Sequence, residues 1–314
     1  MPEAADTSIY TDCRLLSMWT GIELLYPIQD LRMDIPILED AALLFSSRIF
    51  YLVLPMFIIT VFYWTIDKKK GEFLSLGFIS AMAFTAIAKY ALAQPRPWVS
   101  DPDIEHVDGT HASSYSCPSG HTANTVSSLI PASVVIGKRA ISAVLILLTM
   151  LVIMSRIILC VHTPIDIMAG IAVGLSAAFI AWKAVEWSDD GRKQDIVTVS
   201  YTAVFTVLFI LAFTVWDADA EEMLGHAGMF YGLMISRFFE RRYVGYAVPD
   251  MELRGKAIVL ILGLAVAGLL LLLPYILIPG MGRMAGALPM TVWMFLIYPK
   301  LIADRKVPYR SISS

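Results

Sequence analysis

Nine long apolar runs limit the fold of this chain more than any other feature. They cover residues 42–66, 73–93, 121–136, 140–160, 164–187, 196–216, 223–239, 257–278 and 284–302. A helix needs about 20 mostly apolar residues to cross a bilayer, and within lipid a helix satisfies its own backbone hydrogen bonds. Hydrophobic residues make up 57% of the chain and charged residues only 16%, which is typical of a membrane protein. We therefore predict an all-α fold, a polytopic membrane helical bundle of about nine transmembrane helices.

The N-terminal segment has a different pattern. Residues 9–38 carry apolar side chains at helical spacing, but Arg14, Asp30, Arg32 and Asp34 interrupt them. This pattern favours an interfacial helix that lies along the membrane surface over a helix that crosses it. The predicted organisation is an N-terminal interfacial segment, a core of five spans, a C-terminal extension of four spans and a cytoplasmic tail, at residues 1–41, 42–187, 188–303 and 304–314.

The distribution of Lys and Arg predicts how the bundle is oriented. If the spans alternate in direction, 17 of the 24 basic residues fall on one side, in the loops near residues 68–70, 138–139, 183–193, 237–256 and 300–310. The acidic stretches DPDIEHVD and DADAEE fall on the other side. Basic loops are retained in the cytoplasm. We expect a multi-pass protein of the cell membrane with an extracytoplasmic N-terminus and a cytoplasmic C-terminus.

Charge and cysteine content argue against several other classes of protein. The net charge is −3, and no basic run is interleaved with aromatic residues, so no nucleic-acid partner is expected. The three cysteines, Cys13, Cys117 and Cys160, have no C-x-x-C spacing, which argues against a zinc ribbon. Free thiols are expected, and a bridge between Cys117 and Cys160 remains an alternative.

Four polar segments converge on the predicted outer face, where the second and fourth spans end and the third and fifth spans begin. They supply Lys89, Arg96, Ser119, Gly120, His121, Arg156, His162 and Asp166. Taken singly, such residues are usually snorkelling cations, structural ion pairs, helix caps or hydrogen-bonded histidines. Together they place three cations and two histidines beside a single carboxylate, so an anion is needed to balance the charge. A phosphate monoester or diphosphate would supply it.

The segment CPSGH, residues 117–121, suits such an anion. Pro118 is favoured at a helix start, and Ser119 and Gly120 offer a hydroxyl group and closely approaching backbone N–H groups at a positive helix terminus. The segment therefore predicts a phosphate-binding turn.

The segment HTPID, residues 162–166, predicts a nucleophile. Thr163 can cap a helix that begins at Pro164, and Asp166 follows His162 by four residues, so the two share a helix face. A carboxylate that holds one ring nitrogen leaves the lone pair of the other free to attack phosphorus. His121 comes from a different helix and suits a proton donor to the leaving oxygen that later acts as a base for water.

Three motifs together resemble the signatures of the type 2 phosphatidic acid phosphatase superfamily. KYALAQPRP matches K-x6-R-P, CPSGH contains P-S-G-H, and SRIILCVHTPID matches S-R-x5-H-x3-D. The resemblance covers about residues 42–187 and implies a metal-independent phosphatase that forms a phosphohistidine on His162, with Asp166 supporting it and His121 as acid and base. It also implies that phosphoryl oxygens are bound by Lys89, Arg96, Ser119, Gly120 and Arg156. The nine-span layout is similar to that of sphingosine-phosphate phosphatases and glucose-6-phosphatase.

The expected function is hydrolysis of a lipid phosphate or diphosphate at the extracytoplasmic face, with the bilayer as surroundings and no cofactor. Transfer of the phosphate to another lipid would need the same residues and remains an alternative. An anion or lipid transporter is disfavoured because the charges lie at helix ends and no internal repeat is visible. A zinc hydrolase built from His121, His162 and Asp166 is disfavoured because three nearby cations would oppose the metal. The sequence specifies neither the lipid, nor the role of the last four spans, nor the oligomeric state.

Overall fold

The structure, a computed structural model, describes residues 21–110, 112, 114–188, 190–278 and 282–304. Within these ranges every regular element is a helix. The helices are α1 (Tyr26–Asp34), α2 (Ile37–Phe45), α3 (Leu54–Thr65), α4 (Lys68–Leu92), α5 (Gly120–Ile136), α6 (Arg139–Ile158), α7 (Pro164–Trp187), α8 (Gly191–Thr214), α9 (Ala220–Tyr243), α10 (Leu253–Leu277), α11 (Gly282–Val292) and α12 (Tyr298–Ala303). A π-helical turn, Ile49–Val53, precedes α3, and a second one, Trp293–Ile297, joins α11 to α12.

Helix covers most of each of the nine predicted apolar runs, but not all of them have the character of a membrane span. Among the described residues, seven helices are long and apolar enough to cross a bilayer, which supports a multi-pass membrane protein. The runs at α5 and α9 are not among the seven. With 17 residues, α5 is short for a span. The count of nine spans therefore stays a prediction.

Charged side chains on α9 explain why it lacks the character of a span. Arg237 and Glu240 are buried, and both pair with residues of α4. Lys68 Nζ lies 2.7 Å from Glu240 Oε2, and Arg237 Nη1 lies 3.3 Å from Glu72 Oε2. Buried charges are tolerated when they are paired in this way. The extension after residue 190 is thus tied to α4 of the predicted core.

The first apolar run is interrupted where the sequence predicts a continuous helix. It begins earlier than expected, at Ile37, and α2 ends at Phe45 before the π-helical turn begins at Ile49. Ser46 lies in this break and is buried. A break inside a span frees backbone carbonyl groups, which must then find partners from neighbouring helices.

The N-terminal segment lies against the loop that follows α4. Residues 1–20 of the predicted interfacial segment fall outside the described residues, whereas α1 is helical as expected. Gln29 donates to the Asp103 carbonyl at 2.9 Å and accepts from the Glu105 backbone N–H at 2.8 Å. Arg32 is buried and pairs with Glu105 at 3.3 Å. An interfacial position for this helix stays a prediction.

Two glycines let α7 approach α5 closely. A Cβ atom on Gly170 would lie 2.7 Å from the Ser119 carbonyl oxygen, and one on Gly174 would lie 2.8 Å from the Ala123 carbonyl oxygen. Small residues at helix contacts are typical of membrane bundles because they let backbones come together. This contact fixes the start of α5 against the start of α7, where the predicted site residues lie.

Candidate active site

One cavity collects most of the residues that the sequence predicts. Its volume is about 760 Å³, within the range of small-molecule sites. Six of the eight predicted site residues line it, namely Lys89, Arg96, Gly120, His121, Arg156 and His162. The other two, Ser119 and Asp166, are fully buried behind its wall.

His162 presents one ring nitrogen to an arginine and the other to a carboxylate. Arg96 Nη1 lies 3.1 Å from His162 Nε2 and also donates to the Val161 carbonyl at 2.9 Å. Because a guanidinium only donates, Nε2 must be the acceptor, and the proton of a neutral ring then sits on Nδ1. The nitrogen that carries the lone pair is therefore the one beside the cation.

Asp166 lies on the opposite side of the imidazole ring. Its Oδ2 is 3.6 Å from His162 Nδ1 and accepts hydrogen bonds from Ser116 Oγ at 2.6 Å and from the Thr163 backbone N–H at 2.8 Å. Ser116 Oγ is itself 3.4 Å from His162 Nδ1. The same oxygen thus caps α7 and places a negative charge 3.6 Å from Nδ1 of the imidazole ring.

The surroundings of His162 favour its neutral form. The residue lies in the short loop between α6 and α7, outside the membrane-spanning segments. Burial, followed by the charges of Arg96, Lys89 and Arg156, lowers the pKa of His162 well below its usual value. An unprotonated imidazole is the form that can act as a nucleophile.

Backbone carbonyl groups, not carboxylates, hold two of the cations. Lys89 Nζ donates to the carbonyls of Tyr115 and Ser116, the latter at 3.2 Å. Arg96 Nε donates to the Ser114 carbonyl at 2.6 Å. Residues 114–116 therefore orient both cations through main-chain dipoles alone.

The third cation and the second histidine meet at the helix break. Arg156 Nη1 donates to Ser46 Oγ, and Arg156 Nη2 donates to the Thr110 carbonyl at 3.3 Å. His121 Nε2 lies 3.1 Å from the Ser46 carbonyl, and the His121 ring packs on Tyr51 with centroids 3.8 Å apart. A carbonyl only accepts, so Nε2 carries a proton and Nδ1 is the ring nitrogen left for proton exchange.

The CPSGH turn contributes less to the cavity than the sequence suggests. Gly120 lines the cavity, but Ser119 does not. The Ser119 N–H donates to the Asp166 carbonyl at 3.0 Å, and Ser119 Oγ accepts from Thr122 Oγ1 at 3.0 Å. Both polar groups of Ser119 are therefore engaged within the protein, and Ser119 joins the turn to α7.

The two described cysteines are free thiols, so the alternative bridge between Cys117 and Cys160 is not formed. Burial, together with the charge of Asp166, raises the pKa of Cys117 to about 11, and burial raises the pKa of Cys160 to about 11. Neither thiol is poised to react. In the described part of the chain, no group of three or more His, Cys, Asp and Glu side chains could hold a metal ion.

Sequence reasoning missed three residues at or beside the cavity. Ser46 holds both Arg156 and His121, and its only sequence signal is a Ser-Ser pair inside an apolar run. Ser116 directly precedes CPSGH. Glu222 is the third, and it accepts from Tyr90 Oη at 2.9 Å and from Ser114 Oγ at 3.2 Å.

Positive charge predominates along the cavity wall. Its described lining includes five cationic side chains but a single carboxylate, that of Glu222. The cationic residues are Arg48, Lys89, Arg96, Arg156 and Arg283. Such an excess of positive charge favours an anionic ligand.

Residues 73–190 match a family model described as the PAP2 superfamily. The chain is thus similar to the PAP2 superfamily over this segment, which is less than half of its length. The match includes all three motifs, so the resemblance to type 2 phosphatidic acid phosphatases is confirmed, and it ends where α8 begins. Members of the PAP2 superfamily are phosphatases, which supports a phosphoester hydrolase at the level of the superfamily. No curated protein and no solved structure matches the chain.

Proposed function

We propose that this protein hydrolyses a lipid phosphate or lipid diphosphate through a phosphohistidine intermediate at the extracytoplasmic face of the membrane. The observation that carries the proposal is the position of His162 in a cation-rich cavity, with Nε2 3.1 Å from Arg96 and Nδ1 3.6 Å from Asp166. The outward orientation rests on the distribution of basic residues between the loops.

In the first step, His162 Nε2 attacks phosphorus while Lys89, Arg96 and Arg156 bind the phosphoryl oxygens. The bond between phosphorus and the leaving oxygen breaks, and that oxygen takes a proton from His121. The products are a free alcohol, or a lipid monophosphate if the substrate is a diphosphate, and phosphorylated His162. Asp166 stabilises the positive charge that forms on the ring.

In the second step, His121 accepts a proton from a water molecule whose oxygen attacks the phosphorus. The bond between phosphorus and Nε2 breaks, and its electron pair returns to His162. Inorganic phosphate leaves, and His121 is again protonated for the next cycle. No metal ion takes part in either step, so we expect activity to persist in excess chelator.

The intermediate can be trapped with a substrate whose leaving group needs no acid. We expect the purified His121→Ala variant to accumulate a labelled phosphoenzyme from phosphorus-labelled 4-nitrophenyl phosphate, because the first step proceeds while the second lacks its base. Adding His162→Ala should abolish the label. Replacing His226 instead, a third histidine that lines the cavity, should leave the label in place.

Peptide mapping then tests the assignment of the nucleophile. A label that survives His162→Ala, or that maps to another residue, would show that the nucleophile is wrongly assigned. Product analysis with a labelled lipid phosphate separates hydrolysis from the alternative. Free phosphate supports the hydrolase, whereas label that moves to a second lipid identifies a phosphotransferase.

A further inference from the structure

The cavity continues beyond its charged end into an apolar region built by the C-terminal extension. Leu264, Ala267 and Leu271 of α10 line it there, together with Met290 of α11. None of these residues lies in the segment that matches the family model. The predicted core thus supplies the charged end of the cavity, and the extension supplies much of its apolar wall.

Two glycines show how two faces of α10 are packed. At Gly263 the contact is tight, because a Cβ atom there would lie 2.5 Å from the ring of Trp64. Trp64 and Tyr298 pack against this face of α10, and Trp64 Nε1 donates to the Met294 carbonyl at 2.8 Å. At Gly268, five residues further along, an added Cβ would meet nothing within 4 Å. Because Gly268 lies about 140° around the helix from Gly263, α10 packs tightly with one face and borders open space with another.

This open space has exposed apolar walls on both sides. On the α10 side, Leu272 is 55% exposed and also lines the cavity. On the side of the first apolar run, Val53 and Phe57 line the cavity and are 55% and 43% exposed. Apolar side chains that are exposed on a membrane bundle face hydrocarbon. The cavity therefore joins a charged phosphate site to the surrounding lipid.

We propose that the groove between residues 49–57 and α10 holds the aliphatic chain of the phosphate substrate, and that Gly268 limits how much of that chain can enter. The charged end and the apolar groove belong to the same cavity. A molecule that fills both must therefore carry an anion at one end and a hydrocarbon chain at the other. The inference rests on the proposed function, since it assigns the apolar part of the same substrate. It also gives the C-terminal extension a role in selecting substrates by chain length.

Gly268→Leu tests the groove, because the new side chain enters open space and leucine favours a helix more than glycine does. We expect the ratio of kcat/KM for dodecyl phosphate to kcat/KM for phenyl phosphate to fall by roughly tenfold. This corresponds to excluding about two methylene groups from an apolar site. Leu269→Phe is the matched control, since Leu269 is adjacent on α10, 57% exposed and not part of the cavity lining. That variant should leave the ratio unchanged.

A second measurement is independent of turnover. Dodecyl phosphate with a photoreactive diazirine at its chain end should label the peptide that carries residues 264–275 in the His162→Ala variant, and adding Gly268→Leu should reduce the labelling. An unchanged kcat/KM ratio in Gly268→Leu, or labelling confined to other helices, would overturn the proposal. If the photoprobe labels α10 while the wild-type protein hydrolyses neither phosphate, the groove is supported and the phosphatase function fails.

Discussion

Asp166→Asn is the sharpest test of how the site orients its nucleophile. The substitution keeps the shape of the side chain and leaves an oxygen that can accept from the Thr163 N–H, so the cap of α7 is preserved. It removes the negative charge that faces His162 Nδ1 from 3.6 Å. Phosphorylation of Nε2 makes the ring cationic, so this charge stabilises the intermediate more than the resting enzyme.

The magnitude follows from that distance. Two unit charges 3.6 Å apart interact by about 4–5 kcal/mol at an effective dielectric constant of about 20. Each 1.4 kcal/mol corresponds to a factor of about ten in rate. We therefore expect kcat to fall by up to about 1,000-fold, with a much smaller change in KM, because the cations that bind phosphate remain in place.

Initial rates of phosphate release over a range of substrate concentrations measure both constants. Asp190→Asn is the matched control, since Asp190 also caps the start of a helix, with Oδ1 accepting from the Lys193 backbone N–H at 2.9 Å, and it does not line the cavity. It should leave the rate unchanged. If Asp166→Asn lost less than tenfold in kcat, electrostatic support of His162 by this carboxylate would be refuted.

Two further predictions concern charge in the cavity. Burial and the charge of Arg96 lower the pKa of His162, so its neutral form persists below pH 6.5 and the acidic limb of the kcat/KM profile should lie there. In Arg96→Gln the pKa of His162 rises, so activity should be lost at a higher pH as the solution is acidified. A pH–rate profile whose acidic limb does not shift in this variant would contradict the prediction. Glu222→Gln keeps one acceptor oxygen for Tyr90 or Ser114 and offers an amide N–H to the other hydroxyl, but it removes the carboxylate of the cavity lining, so inorganic phosphate should inhibit at a severalfold lower concentration. Equal inhibition constants for the variant and the wild type would count against an effect of this charge on the ligand.

The helices could be predicted from the sequence because apolar length is a local property. Helix covers most of each of the nine runs, and several bounds differ from the predicted ones by only a few residues. The break at Ser46 could not be predicted, since serine is tolerated in a membrane helix that bonds back to its own carbonyl groups. Whether a helix breaks there depends on His121 and Arg156, which are distant in sequence and stabilise the freed groups.

The candidate site was only partly predictable, for a similar reason. Lys89, Arg96 and His162 stand out because ionisable residues at span ends are rare and costly. Glu222 lies in an acidic stretch whose sequence is equally compatible with a solvated loop, and only the packing of α9 against α4 brings it to the cavity. For Ser119 the predicted role in binding phosphate stays a prediction, because a motif identifies which residues lie in a turn but not where their polar groups point.

The main-chain carbonyl groups around Lys89 and Arg96 have a consequence for turnover. A carboxylate partner would cancel much of each positive charge, and an arriving phosphate would have to break an ion pair before it could bind. Carbonyl dipoles fix the position of the two cations while leaving their net charge intact. In the proposed reaction, successive phosphate groups would therefore enter and leave a site that needs little rearrangement between cycles.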